Sequence, residues 1–169
     1  MKKIVLSLAL ACFAIVAAQA QRFALIDMEY ILKQIPAYEQ ANTQMQTSSK
    51  KWQSEVETLT AQAKSLYEDY QKTAKSLNAT QKKQKEDAIV AKEKEASELR
   101  RKYFGNDGEM QKLQQSLMEP IQNNIYTAVK EIATRKGYSL VLDRASDTGI
   151  IFASPSIDIS DEVLTKLGY

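Results

Sequence analysis

Leu77-Asn78-Ala79-Thr80-Gln81 interrupts an otherwise unbroken helical pattern. Asn78 is a residue type whose side chain accepts from the free amide groups at a helix start. Gln81 stands at the third position after it, completing a capping-box pattern. A new helix therefore begins beside Asn78, and the chain reverses there. Forty-two residues separate Pro36 from Asn78, and forty-two separate Asn78 from Pro120. Two prolines equidistant from a reversal predict the base of an antiparallel helical hairpin over residues 37–119, with its tip near residue 78. At 1.5 Å per residue each arm would reach roughly 60 Å.

The flanking sequence supports both arms. Neither glycine nor proline occurs between Gln40 and Phe104. Stepping by sevens gives Tyr38, Met45, Trp52, Leu59, Leu66 and, on the partner positions, Val56, Ala63, Tyr70, Leu77. Alternation of fours and threes is a coiled-coil seam. Asn42, Ser49 and Thr73 interrupt it. A second seam runs Ile89, Ala96, Tyr103, Met110, Leu117, with Leu99 and Leu113 beside it and Lys92 and Asn106 breaking it. Gly105-Asn106-Asp107-Gly108 lies inside the return arm. Tyr103 and Met110 keep the seven-residue phase across it, so it reads as a kink or hinge at Gly105 and Gly108, with a clean break as the alternative.

Residues 21–36 and 120–169 remain for a small hub. Phe23 to Asp27 reads as a strand and Met28 to Ile35 as a short helix. Ile121, Ile125, Ala128, Val129 and Ile132 continue the return helix to Lys136-Gly137. Tyr138–Leu142 and Gly149–Ala153 read as two further strands, and Ser160 as the cap of a last helix. The fold class is α+β, mainly α. A body of this size holding a long projection is marginal alone, which predicts association through Phe23, Leu25, Ile26, Leu140, Val141, Leu142, Ile150, Ile151 and Phe152.

Residues 1–20 read as a secretory signal peptide: Lys2 and Lys3, an apolar run from Ile4 to Ala18, and a small-x-small site at Ala18-Gln19-Ala20. Cleavage near Ala20/Gln21 would deliver the mature chain to the periplasm. A lipoprotein signal ending at Cys12 is the competing expectation. The 169-residue chain has 23 basic and 21 acidic residues; without Lys2 and Lys3 the two signs balance. There is no histidine, and Cys12 is the only cysteine. Disulfides, thiolate or histidine catalysis and Cys/His zinc sites are thereby excluded from the mature chain. A neutral exported chain is a poor nucleic-acid binder, and no phosphate-binding GxxxxGK[ST] loop is present. No cofactor is expected. Glu68 and Asp69 are adjacent carboxylates on a helix that do not face each other, so an enzyme is not expected either.

In this layout the chain resembles the Skp/OmpH family of periplasmic chaperones over essentially its whole mature length. The carriers are Phe23-Ala-Leu-Ile-Asp-Met-Glu-Tyr-Ile-Leu, Tyr103-Phe-Gly-Asn-Asp-Gly-Glu, Pro120-Ile-Gln, Gly137-Tyr-Ser-Leu-Val-Leu-Asp and Asp158-Ile-Ser-Asp-Glu-Val-Leu. The Tyr-Phe-Gly…Gly-Glu element is similar to the Bacteroidetes-type branch. The resemblance implies a jellyfish-like homotrimer with a β-containing hub and helical tentacles. It implies an ATP-independent holdase for unfolded outer-membrane β-barrel proteins. Family members are often strongly basic, whereas this mature chain is neutral.

A holdase needs many weak contacts rather than one deep site. Most large apolar groups of the hairpin, Met45, Trp52, Tyr70, Tyr103 and Met110, sit at seam positions and are expected to pack there. Tyr67 and Phe104 fall one residue beyond seam positions, which makes them the candidate client contacts. Lys72, Lys75, Lys82, Lys83 and Lys85 place five lysines and no acid between residues 72 and 85. They read as a solvated tip, or as a surface that steers acidic clients or touches anionic lipid head groups. The lack of apolar seam residues between Asn78 and Ala88 predicts a soft tip. The competing class is a coiled-coil spacer or tether of the envelope without clients.

Overall fold

The strand β1 (Arg22–Ile26) pairs in parallel with β2 (Tyr138–Asp143), a partner more than a hundred residues later. This comes from a computed structural model that describes residues 22–146 and 149–169. The signal peptide and the Cys12 alternative lie outside the described residues. Between the strands run α1 (Met28–Gln34), α2 (Pro36–Thr73), a 3-10 turn (Ala74–Ser76), α3 (Ala79–Phe104) and α4 (Glu109–Lys136). After β2 come a second 3-10 turn (Pro155–Ile157) and α5 (Ser160–Leu167).

The described residues divide into two compact units, Pro36–Gln122 and the segments 22–35 with Asn123–Tyr169. In the second, Phe23 pairs with Leu140, Ala24 with Val141 and Leu25 with Leu142, with an irregularity between Arg22 and Phe23. Parallel strands need a long crossover, and here the crossover contains the other unit. Ala24, Leu25 and Ile26 are buried, as are Ile31 and Ile35, Ile125, Ala128 and Ile132, and Ile159, Val163 and Leu164. Gly137 ends α4 with a φ of 70°, a left-handed value that favours glycine.

Three expectations change. Gly149–Ala153 forms no strand, and the sheet of the described residues has two strands. Ile151 and Phe152 are 99% and 85% exposed, so within one chain they belong to no core. The run has apolar, strand-like character but pairs with no strand among the described residues. Ser160 does not cap α5 but opens it: its hydroxyl accepts from the Asp27 amide at 2.8 Å and donates to Asp158 Oδ1 at 2.6 Å. Asp158 Oδ1 also takes the Ser160 amide at 2.9 Å.

The third change is in the return arm, where the helix ends at Phe104 and restarts at Glu109 instead of kinking through. The turn between is tightly hydrogen-bonded. The Gly105 amide donates to Arg101 O at 2.8 Å and the Gly108 amide to Gly105 O at 2.9 Å. A side chain at Gly108 would meet three backbone carbonyls at 2.8–3.0 Å. The glycines are required here for space, and Asp107 takes the left-handed conformation, with φ of 58°. Pro36 starts α2, where its missing amide costs nothing, whereas Pro120 lies inside α4.

Candidate functional site

The hairpin of α2 and α3 is held by a narrow stripe. Ala41, Val56 and Ala63 are buried on α2, Ile89 and Ala96 on α3. Trp52 stacks on Tyr103, and Phe104 meets both rings edge-on at 6.4 and 6.3 Å. The Tyr103 hydroxyl donates to Glu55 Oε2 across the arms. By accepting that hydrogen bond, the Glu55 carboxylate raises the Tyr103 pKa above its ordinary value, with partial burial acting the same way. So the seam aromatics pack as their spacing predicts.

The tip is closed by polar groups where apolar ones run out. Asn78 Oδ1 accepts from the Gln81 amide at 2.9 Å and Gln81 Oε1 from the Asn78 amide at 3.0 Å, a complete capping box. The Tyr70 hydroxyl donates to Glu86 and Lys85 donates to Asp69, each tie crossing from one arm to the other. The hydrogen bond and charge of Lys85 hold Asp69 below the usual carboxylate range. Lys83 pairs with Asp87 at 3.1 Å. Two of the five tip lysines are therefore neutralised by acids just outside the 72–85 window. Lys72 and Lys75 are exposed and Lys82 half-buried, and none of these three has an ion pair among the described residues.

Tyr67 and Phe104 are 49% and 42% exposed; Leu66 and Val90 are also exposed on the arms. Tyr67 borders a shallow groove of about 390 Å³ whose floor is Ala63 and Ala96. Phe104 is half engaged in the aromatic cluster. Leu25 and Ile26 are buried, Val141, Leu142 and Ile150 are half-buried, and Phe23 and Leu140 are each 46% exposed.

A polar network beside the sheet was missed by the sequence reading. Arg144 binds Asp27 through Nε and Nη2 at 3.1 and 3.0 Å and Asp158 through Nη1 at 3.2 Å. Asp27 Oδ1 caps α1 by accepting the Tyr30 amide at 2.9 Å. That bond, with the Arg144 guanidinium, holds Asp27 below its ordinary pKa against the opposing effect of burial. The Tyr30 hydroxyl donates to Asp161 at 2.9 Å, which raises the Tyr30 pKa. Tyr30, Arg144, Asp158, Ser160 and Asp161 line a cleft of about 310 Å³. Its acids already have partners, and it joins elements instead of presenting free groups. Only the Asp-x-Ser spacing at 158–160 hinted at it. Among the described residues no cluster of His, Cys, Asp and Glu could hold a metal ion. No helix among them is long and apolar enough to cross a membrane.

The family described as outer membrane protein (OmpH-like) matches residues 22–167. Two chaperone proteins Skp are similar. The one from Yersinia enterocolitica is 24% identical over 161 residues, covering 95% of this chain and 94% of its own. The one from Pectobacterium atrosepticum is 24% identical over 162 residues, covering 96% and 94%. A crystal structure of an OmpH-like protein from Caulobacter crescentus shares the fold, with a TM-score of 0.69 at 13% identity over 88% of this chain and 84% of that one. Strand, long hairpin, second strand and closing helix thus come in the order of a known fold, and the chain belongs to the OmpH-like family.

Proposed function

We propose that this protein is an ATP-independent periplasmic holdase that keeps unfolded outer-membrane β-barrel proteins from aggregating. The observation that carries this reading is a long two-helix arm with a one-stripe core that leaves Leu66, Tyr67, Val90 and Phe104 exposed along its length. Membership in the OmpH-like family supports it. Separate apolar contacts of this size hold an unfolded chain by number rather than depth, and the client can leave as soon as it folds elsewhere. Such work needs no catalytic group, nucleotide or cofactor.

The exposed Ile151 and Phe152, with half-exposed Phe23 and Leu140, favour association of several copies through the sheet unit. Three copies is the assembly proposed here. Lys72, Lys75 and Lys82 would steer acidic clients or touch anionic head groups. The Gly105–Gly108 turn would let the arm bend.

Dilution of a urea-unfolded outer-membrane barrel protein tests the activity. With stoichiometric mature protein and no ATP, light scattering should stay low. Equal scattering with and without it removes the holdase reading and leaves the envelope spacer. Native mass spectrometry should give three times the mature mass.

A further inference from the structure

The groove beside Tyr67 has a twin. Its α2 wall includes Ala63, Lys64 and Tyr67; a second groove of about 420 Å³ has Met45, Gln46 and Ser49 on α2, closed by Met110 from α4. Each residue of the first set lies eighteen positions after its counterpart in the second. Eighteen residues are five full turns of an α-helix, so both grooves open on the same face of α2, about 27 Å apart. On α3, Phe104 follows Ser97 and Arg100 of the first groove by seven and four residues, which keeps it on their face of the helix. Its half-exposed ring thus lies between the two grooves.

The chemistry of the grooves is uneven. Their floors are alanine in one and methionine in the other, the latter a flexible side chain that adapts to varied apolar shapes. Their rims carry Lys50, Lys64 and Arg100 against Glu93, with Glu68 pairing Lys64 at 3.9 Å, which leaves one cation in excess. An occupant with acidic groups beside its apolar ones is favoured over a basic one. A strand advances about 3.4 Å per residue, so 27 Å corresponds to about eight residues. Residues an even number apart in an extended chain point to the same side.

We propose that this face of the hairpin is a two-point track for an extended polypeptide, taking two aromatic side chains about eight residues apart, each next to an acidic residue, with Phe104 contacting the chain between them. The track rests on the holdase reading and specifies what part of an unfolded client the arm grips. Two weak contacts joined by a short extended linker give an avidity neither has alone.

Trp52, the only tryptophan, touches the Phe104 ring and reports binding by its fluorescence. The mature protein is titrated with peptides carrying two phenylalanines, each beside an aspartate, at spacings of eight or five, and with a peptide carrying one phenylalanine. The expected result is at least tenfold tighter binding at spacing eight than at five, where the two rings point to opposite sides. Ser97→Glu and Gln46→Glu change exposed groove positions without touching the buried stripe. Each should reduce the spacing-eight affinity to that of the single-phenylalanine peptide. Equal affinity at both spacings, or unchanged binding by both variants, overturns the track. So does a loss of self-association in those variants with no change in peptide affinity, which would make a second copy the occupant. The aggregation assay is run alongside: suppression without spacing dependence sinks the track alone, and no suppression sinks the holdase reading with it.

Discussion

The indole of Trp52 lies on the ring of Tyr103 with centroids 5.1 Å apart and planes 11° from parallel, pinning the arms fifty-one residues apart in sequence. The nearest buried seam residues toward the tip are smaller, Val56 on α2 and Ala96 on α3. Trp52→Ala should therefore lower stability by about 2 kcal/mol, below the roughly 3–5 typical of a fully buried tryptophan because Trp52 is half-buried. Chemical denaturation followed by circular dichroism measures this.

The two tyrosine–carboxylate ties give the arm an alkaline limit. Hydrogen bonds to Glu86 and Glu55 raise the pKa of Tyr70 and Tyr103. A raised folded value means that the contribution is complete below the unfolded value of about 10 and is lost as pH rises through the folded one. Helical signal should fall together with the rise of phenolate absorbance in that range. In a Tyr70→Phe/Tyr103→Phe double variant the alkaline fall should flatten.

Carboxylates set the acid side. Asp27, Asp69, Glu131 and Glu162 are all held below their ordinary values, the last two by Lys166 and Lys136 respectively. Depressed folded values stabilise above the unfolded value of about 4 and lose that contribution as pH falls through the folded ones. Thermal midpoints should be flat near neutrality and decline below about pH 4. Asp69→Asn should lower the neutral value only slightly, since the pair is exposed, and reduce the acid slope by the same small amount.

Gly108→Ala and Gly137→Ala should be costly for different reasons. At Gly108 a Cβ would sit 2.8 Å from Gly105 O and 2.9 Å from Tyr103 O, so the break in the return arm must open, at a cost of about 1–3 kcal/mol. At Gly137 nothing lies within 4 Å, and the φ of 70° alone costs about 1 kcal/mol. Hydrogen exchange should loosen near residues 101–112 in the first variant and near 134–140 in the second.

Asn78→Ala removes the capping bond and should cost about 1 kcal/mol, expressed as faster amide exchange over residues 79–82. Gln81→Ala removes the reciprocal bond, frees the Asn78 amide and should act in the same direction.

What could be read in advance was what short stretches decide. Asn78 and Gln81 are three residues apart, and a capping box closes within one turn wherever they occur before a helix. The spacing of four and seven residues among Trp52, Val56 and Ala63, and of seven among Ile89, Ala96 and Tyr103, likewise announces one face per helix, because a helix repeats every 3.6 residues. Tyr67 and Phe104 could be placed beside the seam by the same count, and both are exposed there.

Tertiary structure decided the rest. That Lys85 would be answered by Asp69 depends on how two arms face each other, whereas Lys83 and Asp87 are four residues apart on one helix. That Ser160 would serve the Asp27 amide, and Arg144 join Asp27 to Asp158, depends on segments more than a hundred residues apart. That Gly149–Ala153 would stay out of the sheet depends on which edges were left to pair. Helical period and capping belong to the local chain and are written in its order. Pairing across the fold belongs to whichever surfaces meet, and a linear order does not carry that distance.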